Sequence, residues 1–206
     1  MKTLGIIGCG WLGYRLAQYL GSRFNIHTTV TKQAKINDLT AAGFHPETVN
    51  FNGSEVARWT KLDKLDAIII TVPLFSRNVD EQVLIKRRAN LVHFIAGFKG
   101  TIILMSSIGV YPNKTGEVTE AFLSPSDTPG EQEIFNAFPQ VTIFSAGSDV
   151  NPYRIAILLG PAERSLDPLQ GRGGPRRVLE SFVSDSLIGK GLASKDGRPF
   201  FRPYWP

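Results

Sequence analysis

A single cysteine, Cys9, stands in a chain of 206 residues, which excludes an internal disulfide framework and fits a reducing compartment. Long apolar runs are missing as well. The longest, residues 67–72, is strand-sized and far short of the ~20 residues a membrane helix needs. The three histidines, His27, His45 and His93, are dispersed without ligand spacing, so no metal site is readable. A basic lead is also lacking at the N-terminus, which runs straight into an apolar segment and a glycine turn; it does not read as a signal peptide, and a cytoplasmic protein is expected. Asn113-Lys114-Thr115 matches a glycosylation acceptor, but nothing else points to secretion.

Charge of one sign is scarce over most of the chain. Residues 1–150 carry fourteen Lys/Arg against thirteen Asp/Glu, and 151–206 carry nine against five, so the net charge of +5 lives in the last quarter. Arg172, Arg176 and Arg177 lie in a Gly/Pro-rich stretch rather than interleaved with aromatics. That arrangement suits an anionic small molecule or plain solvation and argues against nucleic acid. A hydrophobic fraction of 42% with 20% charged residues is that of an ordinary globular protein.

What is present begins at residue 4. An apolar run over 4–7 enters Gly8-Cys9-Gly10-Trp11-Leu12-Gly13, and Leu12, Leu16, Ala17 and Leu20 then form one helical stripe. Strand, G-x-G-x-x-G and amphipathic helix make the first βα unit of a dinucleotide-binding sheet. The first glycine allows the tight turn, the second lets a pyrophosphate approach the backbone, and the third lets helix and strand pack closely. The helix N-terminus supplies unpaired N–H groups for the phosphates. Cys9 sits at that N-terminus, where a thiolate would be favoured, but packing is its expected role.

Strand and helix signals then alternate: strands over 26–30, 48–51, 67–72 and 101–105, helices over 36–42 and 79–98, and further strand candidates at 141–144 and 154–159. The expected class is α/β, a Rossmann-type doubly wound parallel sheet. Residues 1–150 form the dinucleotide-binding domain, and 151–206 supply a last strand and a reduced C-terminal lobe. The ending Pro199-Phe200-Phe201-Arg202-Pro203-Tyr204-Trp205-Pro206 suits neither helix nor central strand. Such a tail packs on its own domain or docks on a second copy, making a homodimer.

The end of strand two bears on the cofactor. An NAD site usually offers an Asp or Glu there for the ribose 2′-OH. Here Thr31 and Lys32 stand in its place, with no carboxylate before Asp38, which favours NADP, with NAD the alternative. Val72 and Pro73 end strand four, either lining the crevice beside a bound adenine or ribose, or merely terminating the strand.

Met105-Ser106-Ser107-Ile108-Gly109-Val110-Tyr111-Pro112 follows strand five, and Tyr153-Arg154-Ile155-Ala156-Ile157-Leu158-Leu159-Gly160-Pro161 comes later. Together with the glycine run, these resemble the extended short-chain dehydrogenase/reductase superfamily, the NAD(P)-dependent epimerase/dehydratase group, over residues 1 to 170. The resemblance implies that Ser107 is the catalytic hydroxyl, with Ser106 beside the cofactor and a small-molecule substrate next to it. It also implies a tyrosine in a Tyr-x-x-x-Lys pair two dozen residues later as proton donor. The chain departs from that pattern, since no tyrosine or lysine lies between Ala121 and Asn151. Three readings follow: another acid, with Glu131, Glu133 or Tyr111 as candidates; a non-catalytic NADP(H) sensor; or a shortened, degenerate member. A β-hydroxyacid or prephenate-type dehydrogenase also begins with a glycine loop and ends strand four in Val-Pro, but that class needs a large helical domain after residue 150.

Overall fold

The structure is a computed structural model and describes residues 1–107 and 128–146, the side chains of 107 and 144–146 excepted. In chain order the elements are β1 (Lys2–Ile7), α1 (Trp11–Leu20), β2 (Phe24–Val30), α2 (Ile36–Ala41), β3 (His45–Thr48) and β4 (Ala67–Ile70). They continue with α3 (Glu81–Phe94), β5 (Thr101–Ser107), α4 (Pro129–Ala137) and β6 (Thr142–Ala146). Residues Met1–Phe144 form one compact unit. The sheet order is β3-β2-β1-β4-β5-β6, and β1 pairs in parallel with both β2 and β4, as do β2 with β3 and β4 with β5. This is the expected doubly wound, Rossmann-type sheet. The chain changes direction across the sheet between β1 and β4, and in such sheets that switch point is where ligands bind.

The strands read as continuous apolar runs because both faces are covered. Ile68, Ile69, Ile70, Ile102, Ile103 and Leu104 are fully buried. Ile7, Ile68, Ile70, Ile102 and Leu104 join one core with Leu91, Phe94 and Ile95 of the α3 region and Ile134 and Phe138 of the α4 region. Alternate residues face the other way, where Ile6 lies under Gly13 of α1. Burying these side chains contributes about 1.5–3 kcal/mol each relative to exposure.

Three elements differ instructively from expectation. The third strand occupies His45–Thr48 rather than 48–51, in register from His27↔His45 to Val30↔Thr48. Phe51 leaves the sheet to meet Phe94 edge-on at 5.3 Å, and its carbonyl accepts from the buried Asn90 Nδ2. Pro46 is tolerated because β3 is an edge strand. The long helix starts at Glu81, not 79, where the Asp80 side chain caps the Gln82 N–H at 2.7 Å. It stops at Phe94, not 98: Ala96 and Phe98 bond three residues back, and Gly97 takes φ +77°. The fourth strand ends at Ile70 instead of Val72. The strand candidate at 154–159, the Arg172–Arg177 stretch and the aromatic tail lie outside the described residues.

Candidate functional site

The glycine run folds as a tight turn between β1 and α1. Gly8 adopts φ +92°, and a Cβ there would stand 2.7 Å from Val72 Cγ2 and 3.0 Å from the Val72 nitrogen, so only glycine fits. Its N–H donates to Thr29 Oγ1 at 2.9 Å and its carbonyl accepts from Thr71 Oγ1 at 2.6 Å. The Cys9 N–H donates to the Thr29 carbonyl at 2.7 Å. These bonds tie the loop to β2 on one side and to the end of β4 on the other. A Cβ on Gly13 would lie 2.8 Å from the Gly8 carbonyl oxygen and 3.0 Å from Thr71 Oγ1; this is the close helix–strand approach the third glycine permits.

Gly10 is different. Among the described residues a Cβ there would meet only the Gly8 carbonyl oxygen, at 3.9 Å, so they leave the space above it open. No side chain among the described residues caps α1 at Gly10, and the first-turn N–H groups and the positive end of the helix dipole face that space. Trp11 is exposed, with Arg15 stacked over its ring at 4.3 Å, and Leu12 is half-buried. Cys9 points into the core, where burial pushes its thiol up to about 11 against a smaller lowering by Lys35. It therefore contributes backbone, not thiolate.

Thr31 and Lys32 are exposed at the end of β2, and Lys32 precedes a single turn over Gln33–Lys35. Sequence reasoning identified Lys32; Lys35, three residues on, is a second exposed lysine, and its charge reaches the glycine loop at Cys9. Gln33 is taken up by the Thr48 hydroxyl at 2.7 Å.

Beyond Thr71 a cleft opens at the carboxyl ends of β4 and β5, lined among others by Thr71, Pro73, Phe75, Met105, Ser106 and Glu131. Val72 is buried beneath Gly8, whereas Pro73 is exposed at the rim, its carbonyl accepting from Arg87 at 2.7 Å. The Ser106 hydroxyl donates to Glu131 Oε1. Burial raises the Glu131 carboxyl above its ordinary 4.5, against a smaller lowering by the Ser106 bond. Helix α4 can bring Glu131 there because Gly130 lies against Leu74, where any Cβ would be 2.7 Å from the Leu74 Cβ. Arg88, its side chain only 3% exposed, donates to Glu133 at 2.9 Å and to Glu81 at 2.8 Å, so it holds α4 to α3.

The structure therefore brings Gly8, Gly10, Gly13, Val72, Pro73, Ser106 and Glu131 to one end of the sheet. Ser107 ends β5, and its side chain lies outside the described residues, as does Tyr111 altogether. Thr29, Thr71 and Arg88 were missed. Arg88 left a trace, since it falls between Leu84 and Leu91 on the apolar stripe of α3, but the two threonines carry no sequence signal that separates them from strand filler.

Solved structures share this architecture. UDP-glucuronic acid 4-epimerase from Bacillus cereus, solved in complex with NAD, is similar with a TM-score of 0.56 and 18% identity, over 71% of this chain and 56% of the epimerase. A Bacillus halodurans protein classed with the NAD-dependent epimerases/dehydratases gives 0.52 and 15%, over 71% of each chain. The PbgP3 protein from Burkholderia pseudomallei gives 0.51 and 14%, over 70% of this chain and 52% of its own. The chain thus spans little more than half the length of two of these proteins. No family model and no curated protein matches the sequence. What the chain shares with these neighbours is the Rossmann-type fold.

Proposed function

We propose that this protein binds a nicotinamide dinucleotide across the β1/β4 switch point and acts, as an oxidoreductase or epimerase, on a small molecule in the adjoining cleft. One observation carries the reading. Gly8 and Gly13 are closed against Val72 and Thr71 while Gly10 stays open over an uncapped helix end, which is the division of labour a pyrophosphate needs. The NAD-bound epimerase of the same fold supports it. The Gly10–Gly13 backbone would hold the pyrophosphate, with Lys32 and Lys35 reaching for a 2′-phosphate and Pro73 and Ser106 lying towards the nicotinamide. When bound, the dinucleotide supplies a hydride donor or acceptor. Lys32 and Lys35, with no carboxylate before Asp38, favour NADP(H).

Titration calorimetry with NADPH and NADH tests this. Saturable binding, tighter for NADPH, is expected in the wild-type protein. Gly10→Val should abolish it with the fold intact, and Lys32→Glu should erase the preference for NADPH. Undiminished binding by a folded Gly10→Val protein would overturn the reading. Absence of the Tyr-x-x-x-Lys pair favours a second reading, an NADP(H) sensor without turnover, which predicts tight binding and no hydride transfer to any carbonyl offered.

A further inference from the structure

We propose that Ser106 and Glu131 are the proton-donating pair of the cleft, with Glu131 the acid and the Ser106 hydroxyl the relay, serving a small uncharged aldehyde or ketone. The inference rests on the dinucleotide reading above and deepens it.

Position is the first argument. Ser106 is at the carboxyl end of β5 and Glu131 in the first turn of α4, and they are hydrogen-bonded to each other within the cleft that begins at Thr71. Thr71 also bonds the Gly8 carbonyl, so one side chain both ties down the glycine loop and lines the cleft that holds Glu131. Glu131 stands where the sequence lacks a tyrosine donor.

The second argument is elimination among the acids. Glu133 is taken by Arg88, and with Glu81 it neutralises the charge of that guanidinium. Its carboxylate is committed to that ion pair, and Glu133 is not among the residues lining the cleft. Among the described residues Glu131 has no basic partner: it is the only ionisable one of them that lines the cleft, and β4 and β5 present none to it. Burial therefore favours its neutral, proton-bearing form.

The third argument concerns the substrate. Leu74, Phe75, Leu104, Met105 and Pro129 make most of the described wall apolar, and no cation lies among them to meet a carboxylate or phosphate. A neutral carbonyl compound fits such a wall, and its oxygen would be met by Ser106. With the hydride supplied by the reduced dinucleotide, the residues need deliver only a proton. That proton leaves Ser106 Oγ for the carbonyl oxygen, which becomes the alcohol. Ser106 is refilled from Glu131, and the carboxylate left behind regains its proton from water.

Two readouts test the pair. Carbon-13 labelling of glutamate carboxyls follows protonation of Glu131 in the cofactor-free protein, its resonance assigned by loss in Glu131→Gln. It should titrate above 4.5 and higher still in Ser106→Ala, which removes the bond that favours the carboxylate. NADPH oxidation with benzaldehyde, glyceraldehyde and cyclohexanone then reads turnover. Both Glu131→Gln and Ser106→Ala should lower kcat by about 100-fold or more, the first with NADPH affinity unchanged, and Glu131→Gln should remove the loss of activity at high pH. An ordinary Glu131 titration, full kcat in either variant, or NADPH binding with none of the three probes reduced would each overturn the pair and leave the binding reading standing. Failure to bind NADPH would overturn the binding reading instead.

Discussion

Gly10 and Gly13 are three residues apart and chemically identical, yet their surroundings assign them opposite roles. A methyl at Gly13 would be driven into the Gly8 carbonyl oxygen and Thr71 Oγ1, both backbone-tethered or hydrogen-bonded and unable to give way. Gly13→Ala should therefore destabilise the protein by about 1–3 kcal/mol, the usual cost of overpacking. Urea denaturation reads this as a lowered midpoint. Gly10→Ala, whose methyl would meet only one oxygen at 3.9 Å, should leave the midpoint unchanged. Sequence alone reads both positions as members of one motif; the distances separate a glycine closed in by its neighbours from one with open space above it. The same holds for the serines and carboxylates. Ser106 is the hydroxyl found on Glu131, while the side chain of Ser107, the expected hydroxyl, lies outside the described residues. Of the two glutamates on α4, one lines the cleft with its pKa raised by burial and the other is a counter-ion to Arg88.

Helices α3 and α4 are joined through Arg88, and the cost of disturbing that joint depends on which side is removed. The guanidinium is buried, while the side chains of Glu81 and Glu133 are 60% and 43% exposed. Arg88→Met strands nothing: both carboxylates return to water, and an apolar side chain fills the space. The double variant Glu81→Gln/Glu133→Gln leaves a buried cation with no anionic partner, which typically costs about 3–5 kcal/mol. The double variant should therefore unfold at lower urea than Arg88→Met. Equal midpoints would show that the charges play no part in the joint. The elements themselves were largely legible in the sequence, because apolar runs of strand length alternate with helical stripes. Their ends were not. Helix α3 is bounded by a capping aspartate and a left-handed glycine, which override an apolar periodicity that continues to Phe98. Strand β3 is placed by its partner β2 instead of by its own β-branched content.

For the molecule as a whole, two titrating groups pull stability in opposite directions. His27 sits against His45 with ring centroids 4.8 Å apart, and its pKa is lowered from 6.5 by burial first and by the His45 charge second. The unfolded chain thus takes up the His27 proton more readily, and stability rises with pH up to about 6.5. Glu131 is raised above 4.5, so the folded protein holds that proton more tightly, and stability falls with pH from 4.5 up to the raised value. The two slopes are opposite in sign. Glu131→Gln should leave the His27 slope alone, so its melting temperature should climb more steeply between pH 4.5 and 6.5 than that of the wild type. A parallel pair of curves would show that Glu131 titrates normally. By itself the sequence determined the parallel α/β sheet and the glycine turn, because periodicity and turn chemistry are local properties that a chain displays in order. Only the tertiary structure decided which hydroxyl meets which carboxyl, and which charges are spent in holding helices together. Those facts depend on residues brought together across the sheet from distant parts of the chain, as Thr71 reaches Gly8 and Glu131 reaches Ser106, and on how completely their neighbours exclude water.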